Sequence, residues 1–343
     1  MTRYDRFRRG LDERGCACAV LVGPAHATHL ASYSRYLSSA TAVVVADDGT
    51  RTLVVPRYEL EAASEHADAV IAFGDDGFLD FDWLPKLVRA CRELCHGRIG
   101  VAGVAPFEHA VAIDDLVAEV RRVKDEDELA AVTRSVELTL AAQRRVAELA
   151  GEGLSEIELF TAALASAQNG ALEPVEFVGD VFCGARTAAV ASPVEVPNGH
   201  RPGAGDPVLA DVAVRAGGYW GDTTRTTIVG DNPEAADVVE TITSILAESG
   251  RALIPGVRAC DAFERMRAEI LRRFPEGVFA HHGGHGIGID VGEDPQLIPS
   301  EPMPLEAGMV FAVEPAVYFP GRFGVRVEDV YAVTPDGGVR VGG

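Results

Sequence analysis

Four acidic residues and one histidine in the last third of the chain have the types and spacing of a metal site. The first two acids, Asp211 and Asp222, lie in VLADVAVRAGGYWGDTTRTTIV. Two β-branched and aromatic runs meet there at residues 215–218, which predicts a β-hairpin. A turn centred between Ala216 and Gly217 places Asp211 directly opposite Asp222.

The second acidic pair lies in MVFAVEPAVYFPGRFGVRVEDVYAV, which predicts another strand–turn–strand with its break at residues 320–322. A turn centred on Gly321 places Glu314 opposite Glu328. Between the two hairpins, the glycine-rich segment HHGGHGIGID offers His285 as a nitrogen ligand. Each hairpin is therefore expected to set one carboxylate across from another.

Opposed carboxylates of this kind need a counterion. Like charges facing each other across a ladder are destabilising, and two charges ~4 Å apart repel by roughly 4 kcal/mol at an effective dielectric near 20. Two divalent cations would balance four acids, and Mn²⁺, Co²⁺, Zn²⁺ or Fe²⁺ accept mixed oxygen and nitrogen ligands. The alternative is that the acids face solvent from separate strands and never converge.

The same residues carry a resemblance to a known family. The stretches DVAVRAGGYWGDTTRT, GGHGIG, AVEP and VRVED are similar in order and spacing to the metal-binding motifs of the creatinase/prolidase/aminopeptidase P family, peptidase family M24. The resemblance implies two divalent metal ions, manganese foremost, with cobalt, zinc or iron as alternatives. The ligands that it implies are Asp211, Asp222, His285, Glu314 and Glu328.

The resemblance extends upstream and implies an α/β two-domain protein. We expect a creatinase-like N-terminal α/β domain in residues 1–120. Residues 121–343 are expected to form a catalytic pita-bread α+β domain, in which helices flank a curved antiparallel sheet. Relatives commonly pair, so a homodimer is expected on the same ground.

Roles for further residues also follow from the resemblance. In the family, two metal ions share a bridging hydroxide that attacks a peptide or amide carbonyl. Glu314 is the candidate for handling the proton, His281 matches a histidine that faces the substrate, and Arg326 matches an arginine close to the metal acids. A backbone-capping role for His281 and a plain strand-face ion pair for Arg326 stay open. Thr224 is expected to orient Asp222.

Two departures from the family pattern bear on the substrate. Peptidases of the family carry a histidine upstream of the first aspartate, but Ser192, Pro193 and Val194 occupy that region here. A second family histidine follows the ligand histidine, and its position is Gly292 in this chain. Removing one donor to a reaction intermediate typically costs about 100- to 1,000-fold in rate.

Three functions compete on this basis. The first is a metal-dependent Xaa-Pro dipeptidase or aminopeptidase, and the second is a related enzyme acting on a non-peptide C–N bond, as a hydrolase or a lyase. The third is a catalytically inactive binding module. Retention of all five ligands disfavours the module, and the missing histidines disfavour the peptidase. The sequence favours a metallohydrolase that acts on a small peptide or amide.

Composition narrows the partners. A length of 343 residues suits two domains. The excess of 52 acidic over 31 basic residues, a net charge of −21, argues against nucleic acid and anionic membranes as partners. No apolar run reaches the ~18 residues of a membrane span, and we expect a cytoplasmic location. The six cysteines form no disulfide or zinc pattern and are predicted to be buried free thiols.

Overall fold

The computed structural model describes residues 1–35, 40–74, 83–103, 107–189 and 196–342. The chain divides into two compact units, Met1–Arg121 and Arg122–Gly343. Along the described ranges, no helix is both long and apolar enough to cross a membrane. The six cysteines are unbonded, and all but Cys260 are buried.

The first unit combines a mixed β-sheet with helices. Its strands are β1 (Cys18–Val22), β2 (Ala42–Val45), β3 (Arg51–Pro56), β4 (Ala69–Phe73), β5 (Ile99–Ala102) and β6 (Val111–Ala112). Its helices are α1 (Arg3–Glu13), α2 (Pro24–Ala31), α3 (Leu60–Ala63), α4 (Trp83–Glu93) and α5 (Asp114–Arg122). The described strands lie in the order β4-β3-β2-β1-β5-β6. Strand β2 is antiparallel to both neighbours, and the remaining pairs are parallel.

Local sequence explains the elements of this unit. Strands β2 and β3 form a hairpin around an Asp-Asp-Gly turn, whose Gly49 has a φ of 87° that favours glycine. Helix α1 buries Phe7 and Leu11, one turn apart, and is followed by Gly15 in the left-handed region. The core of the unit forms where such apolar faces meet the sheet.

The second unit carries all five predicted metal ligands. Its helices are α6 (Glu126–Leu149), α7 (Glu156–Gly170), α8 (Pro233–Arg251) and α9 (Ala259–Arg273). Its first strands are β7 (Glu176–Cys183), β8 (Pro207–Ala216), β9 (Tyr219–Ile228), β10 (Gly284–Gly286) and β11 (Glu293–Gln296). The remaining strands are β12 (Val310–Val313), β13 (Ala316–Phe319), β14 (Phe323–Arg326), β15 (Asp329–Thr334) and β16 (Gly337–Arg340). Capping boxes at Asp125 and Ser155 begin α6 and α7.

Strands β7, β8 and β9 form an antiparallel sheet whose two faces have different roles. Alternate residues of β8 are apolar and pack with α6 and α7; they are Val208, Ala210, Val212 and Val214. The intervening residue Asp211 therefore lies on the opposite face, since successive side chains of a strand alternate. The helix-covered face is therefore apolar, and the opposite face carries the acidic side chains.

The last strands form a second antiparallel assembly, in the order β11-β10-β12-β15-β16, with β13 and β14 as a separate pair. Helices α8 and α9 pack against this assembly through a large apolar cluster. A bridge between Thr224 and Glu328 joins it to β9. Helices flanking antiparallel strands match the α+β architecture expected for the catalytic domain.

The two predicted hairpin registers had different outcomes. In β8–β9, Asp211 pairs with Thr224 and Asp222 pairs with Ala213, so the predicted Asp211–Asp222 pairing is wrong by two residues. The reason is the turn: Gly217 and Gly218 both have positive φ, as a two-residue hairpin loop requires. A shift of two residues preserves the face, and both aspartates still point to the same side.

The second hairpin turns where the sequence predicts, around Gly321 with a φ of 76°. Phe319 pairs with Phe323, and the same register continues beyond a break as Val313 with Asp329. Glu314 and Glu328 fall opposite each other within this break, between the two paired stretches.

Candidate metal centre

Three of the predicted ligands converge directly. Single ligand atoms of Asp222, His285 and Glu328 all lie within 4.8 Å of one another. The Nε2 atom of His285 is 3.9 Å from Asp222 Oδ2 and 3.9 Å from Glu314 Oε1. Three of the five predicted ligands therefore surround one point, a fourth, Glu314, lies beside His285, and the three carboxylates are buried.

Each ligand reaches this point from a different backbone environment. Asp222 projects from the polar face of β9. His285 lies in β10, which pairs with β12 on one side and β11 on the other. The break between the paired stretches frees the backbone of both glutamates: Glu314 N–H donates to Gly283 O, and Glu328 N–H donates to Thr224 O. The two glutamates thereby connect the strands that carry the other ligands.

The orientation of His285 suits a metal ligand. Its Nδ1 atom lies 3.0 Å from the Gly286 carbonyl oxygen, which can only accept a hydrogen bond. The proton of the neutral ring is therefore on Nδ1, and the lone pair of Nε2 points towards Asp222 and Glu314. A backbone partner that fixes the tautomer is typical of metal-binding histidines.

Burial and mutual repulsion raise the pKa values of two of the carboxylates, as expected for acids that surround a cation site. Burial, followed by the charges of Asp211 and Glu314, raises the pKa of Asp222 well above its ordinary value. Burial, followed by the charge of Asp222, also raises the pKa of Glu328. Among the described residues, nothing donates a hydrogen bond to the buried Oδ1 of Asp222. A divalent cation would satisfy that oxygen and offset the repulsion.

Glu314 behaves differently because two histidines lie beside it. Burial alone would raise its pKa, but His282, with Nδ1 2.9 Å from Oε1, and His281 hold the pKa of Glu314 at about 2. The same carboxylate raises the pKa of His282. His281, His282 and Glu314 also form a group whose ligand atoms lie within 4.8 Å of one another. The Glu314 carboxylate is thus ionised, whereas burial and repulsion favour the protonated forms of Asp222 and Glu328.

Asp211, the fifth predicted ligand, lies outside both groups. Its Oδ2 forms an ion pair with the buried Arg326, whose other amino group donates to Tyr318 Oη at 3.0 Å. Arg326 therefore forms an ion pair with one of the predicted metal ligands, and its two possible roles stay open. Asp211 nevertheless shares the sheet face of Asp222, and its charge is part of what raises the pKa of that residue.

His281 is held between two partners. Its Nδ1 lies 2.6 Å from His282 O, and its Nε2 lies 3.0 Å from Tyr318 Oη. Since the carbonyl oxygen only accepts, Nδ1 carries the proton and Nε2 accepts from the tyrosine. Burial lowers the pKa of His281 to about 4. The ring is therefore neutral, and a substrate-facing role stays a prediction from the resemblance.

Thr224 does not contact Asp222 as the sequence analysis expected. Its hydroxyl donates to Glu328 Oε2 at 2.7 Å, and the neighbouring Arg225 donates to Glu328 O and to Asp329. The register shift of two explains the difference, because Thr224 lies opposite Asp211 and next to the break that holds Glu328. Thr224 orients a glutamate instead of an aspartate.

The two departures from the family pattern have different outcomes. Ser192, Pro193 and Val194 lie outside the described residues. Gly292 is exposed, and a Cβ built there meets no atom within 4 Å. The adjacent Glu293 is a structural residue, since it forms a buried ion pair with Lys124 at 2.8 Å. Gly292, at the position of the missing histidine, therefore has open space around it, and it precedes a strand that the Glu293–Lys124 ion pair anchors.

Three residues near the site were not found from the sequence. Tyr318 links His281 to Arg326, His282 lies against Glu314, and Asp180 on β7 pairs with Asp211. The adjacent His-His pair was a visible signal for His282. Asp180 is an acid in the middle of an otherwise apolar stretch, VGDVFC, and that interruption was the available signal.

Comparison with known proteins identifies the family of the chain. Residues 130–335 match metallopeptidase family M24, and residues 3–136 match the creatinase/prolidase N-terminal domain. The chain therefore belongs to family M24 and is a metal-dependent hydrolase. The expected fold class, with an N-terminal creatinase-like domain and a pita-bread domain, is confirmed.

Individual relatives point the same way. The chain is 30% identical to a probable dipeptidase PepE of Mycobacterium bovis, over 88% of this chain and 83% of that protein. It is 27% identical to an Xaa-Pro dipeptidase of Pyrococcus furiosus, over 87% and 86% of the two chains. The crystal structure of a prolidase from Pyrococcus horikoshii superposes with a TM-score of 0.82 at 22% identity, covering 99% of this chain and 97% of that one.

Proposed function

We propose that this chain is a dinuclear metal-dependent Xaa-Pro dipeptidase or aminopeptidase that hydrolyses small peptides. The observation that carries the proposal is the convergence of Asp222, His285 and Glu328, with the buried Oδ1 of Asp222 free of hydrogen bonds from the described residues. The names of the relatives supply the peptide substrate class.

Asp222, His285 and Glu328 would hold a divalent ion, with Glu314 beside His285. The resemblance adds Asp211 as the fifth ligand, for two ions in all. The predominance of carboxylate oxygen over nitrogen favours Mn²⁺, with Co²⁺, Zn²⁺ and Fe²⁺ as alternatives. When bound, such ions polarise a carbonyl and lower the pKa of a coordinated water.

The chain's own residues account for proton handling and charge. Glu314, beside His282 and His285, is the candidate to accept a proton from the attacking water and pass it to the leaving nitrogen. Arg326 offsets part of the acidic charge through Asp211. The chain Arg326–Tyr318–His281 keeps the ring of His281 in one orientation next to Glu314.

A second candidate, hydrolysis of a non-peptide amide, rests on Gly292. The absence of a side chain there, with open space around it, removes a donor that peptidases of the family use and enlarges the space available to a substrate. This candidate uses the same metal site and differs in the substrate alone.

The test is hydrolysis of Xaa-Pro dipeptides and tripeptides by Mn²⁺-loaded protein of confirmed metal content. We expect turnover that is lost on chelation, restored by Mn²⁺, and absent from Glu314→Gln. Glu306→Gln removes an exposed acid eight residues away and serves as the matched control, with unchanged turnover expected. A folded sample with two equivalents of metal and no turnover of any peptide would overturn the peptidase proposal in favour of small amides.

A further inference from the structure

Asp180 is a carboxylate beside the metal centre for which the proposed mechanism has no role. Strand β7 pairs with β8 so that Asp180 lies directly opposite Asp211. Directly opposed residues of an antiparallel pair share one sheet face, with Cβ atoms about 4.5–5.5 Å apart. Asp180 therefore stands on the face that carries the metal ligands, one strand further out than Asp211.

The surroundings of Asp180 leave its charge without a partner. It is half-buried. Within the part of the chain that the structure describes, no group donates a hydrogen bond to Asp180 and no cation forms an ion pair with it. Two strand residues earlier on the same face, Val178 is exposed. The carboxylate thus lies at an accessible edge of the site.

Another acid on the same face of β7, Glu176, has a cationic partner on the neighbouring strand. Glu176 lies opposite Arg215 in the same ladder and forms an ion pair with it. Asp180 has a like charge in the equivalent opposite position. Unlike Glu176, Asp180 therefore has no cation opposite it in the described β7–β8 ladder, and a positively charged partner would have to come from elsewhere.

Nearby protein cations do not meet that need. Arg326 is the cation that acts on Asp180, but its guanidinium is already engaged by Asp211 and Tyr318. Arg326 therefore supplies no ion pair to Asp180.

An organic cation suits a single carboxylate at an accessible edge of the site. An ammonium or guanidinium group needs only one carboxylate and an accessible approach, and hydrogen bonds to a charged partner are among the stronger ones.

We propose that Asp180 is a specificity-determining residue that binds a cationic group on the N-terminal residue of the substrate. The proposal rests on the proposed peptidase function. The group is either the α-ammonium of the peptide or the side chain of a Lys or Arg residue, since both present the same chemistry to a carboxylate.

The experiment compares Lys-Pro with norleucine-Pro, which keeps the α-ammonium and the chain length but lacks the side-chain cation. Wild type, Asp180→Asn and the control Glu176→Gln are assayed as Mn²⁺-loaded proteins. We expect Asp180→Asn to lower kcat/KM by about 10- to 100-fold, the worth of one hydrogen bond to a charged group. Loss confined to Lys-Pro identifies the side chain, and equal loss on both peptides identifies the α-ammonium.

Further readouts separate this proposal from its alternatives. Equal kcat/KM of wild type and Asp180→Asn on both peptides would overturn it, and so would a lower metal content of Asp180→Asn, which would make the residue a metal ligand. Glu176→Gln is expected to leave the ratio between the two peptides unchanged.

A wild type that holds metal but cleaves neither peptide would refute the proposed function without deciding the role of Asp180. Calorimetric titration of the metal-loaded proteins with L-lysine and L-norleucine then decides it. Weaker binding of L-lysine by Asp180→Asn supports the proposal. Equal binding, or no binding of lysine by wild type, overturns it.

Discussion

The β8–β9 hairpin keeps one uninterrupted ladder, whereas the segment from Val310 to Thr334 interrupts its ladder at the two glutamates. In the first, Asp211 and Asp222 both lie inside a continuous ladder, and their side chains project from it. In the second, Glu314 and Glu328 direct their own N–H groups to other strands. The interrupted ladder therefore connects the segments that carry the predicted ligands, because its two glutamates bond to them through the backbone. The continuous ladder contributes the side chains of Asp211 and Asp222.

The difference has a local cause in the residue that follows Glu314. Pro315 has no N–H and cannot donate to a ladder, which is why proline is rare in central strands. Its carbonyl still accepts from Val327 N–H, at 3.3 Å. The break thus occurs next to a metal ligand, without loss of the register that the Gly321 turn sets.

The largest expected effect comes from removing one ligand of each hairpin. Asp222→Asn and Glu314→Gln each replace a carboxylate by an amide of the same shape, so tight metal binding should be abolished while the fold is kept. The loss should exceed the roughly 10- to 100-fold typical of residues that only orient ligands. Metal content after dialysis and circular dichroism measure both properties.

The exposed turn acid Asp336 provides a control, since Asp336→Asn changes the same charge away from the site. Unchanged metal stoichiometry in both ligand variants would refute the assignment. Loss in only one of them would show that the two hairpins contribute unequally.

An intermediate effect is expected for Arg326→Met, which removes the ion pair that joins β14 to Asp211 on β8. Asp211 would lose its partner, and the metal-free protein should be destabilised by about 2 kcal/mol, below the range for fully buried pairs because Asp211 is partly exposed. Urea unfolding after chelation measures this. Arg322→Met, in an exposed pair with Glu234, should change stability by less than about 1 kcal/mol, and equal losses would argue against the special position of Arg326.

The smallest effect should come from the turns. Gly217→Ala and Gly321→Ala each place a side chain at positive φ with open space around it, and each should cost about 1–2 kcal/mol. Gly151→Ala, also in open space but without positive φ, is the control. Thermal unfolding measures the three. A loss at Gly151 as large as at the turns would exclude backbone strain as the cause.

Much of the framework was predictable because it depends on neighbours in sequence. Ser155 caps α7 in a capping box with Glu158, three residues later. Gly321 sets the register of the second hairpin because glycine readily adopts the positive φ of the turn. The first register was also encoded, since Gly217 and Gly218 together satisfy a two-residue loop. Placing Ala216 in the turn was the error, because a residue with a Cβ avoids positive φ.

The sequence predicts a ligand set through its acidic pairs and the resemblance, but it does not predict the pairings around those residues. The ion pair of Arg326 with Asp211 spans 115 residues, and the bond from Thr224 to Glu328 spans 104. No local pattern specifies which of several acids a given cation or hydroxyl will meet. Those choices depend on how the two sheets join at the Thr224–Glu328 bridge.

By itself, the sequence determined the elements, their turns and caps, and which acids share a sheet face, because each of these follows from short-range sterics and strand alternation. Only the tertiary structure decided that Asp211 is held by Arg326, that His282 flanks Glu314, and that Asp180 stands unpaired opposite Asp211. The physical reason is that electrostatic partners are set by proximity in space, and burial decides how strongly each charge acts on the next.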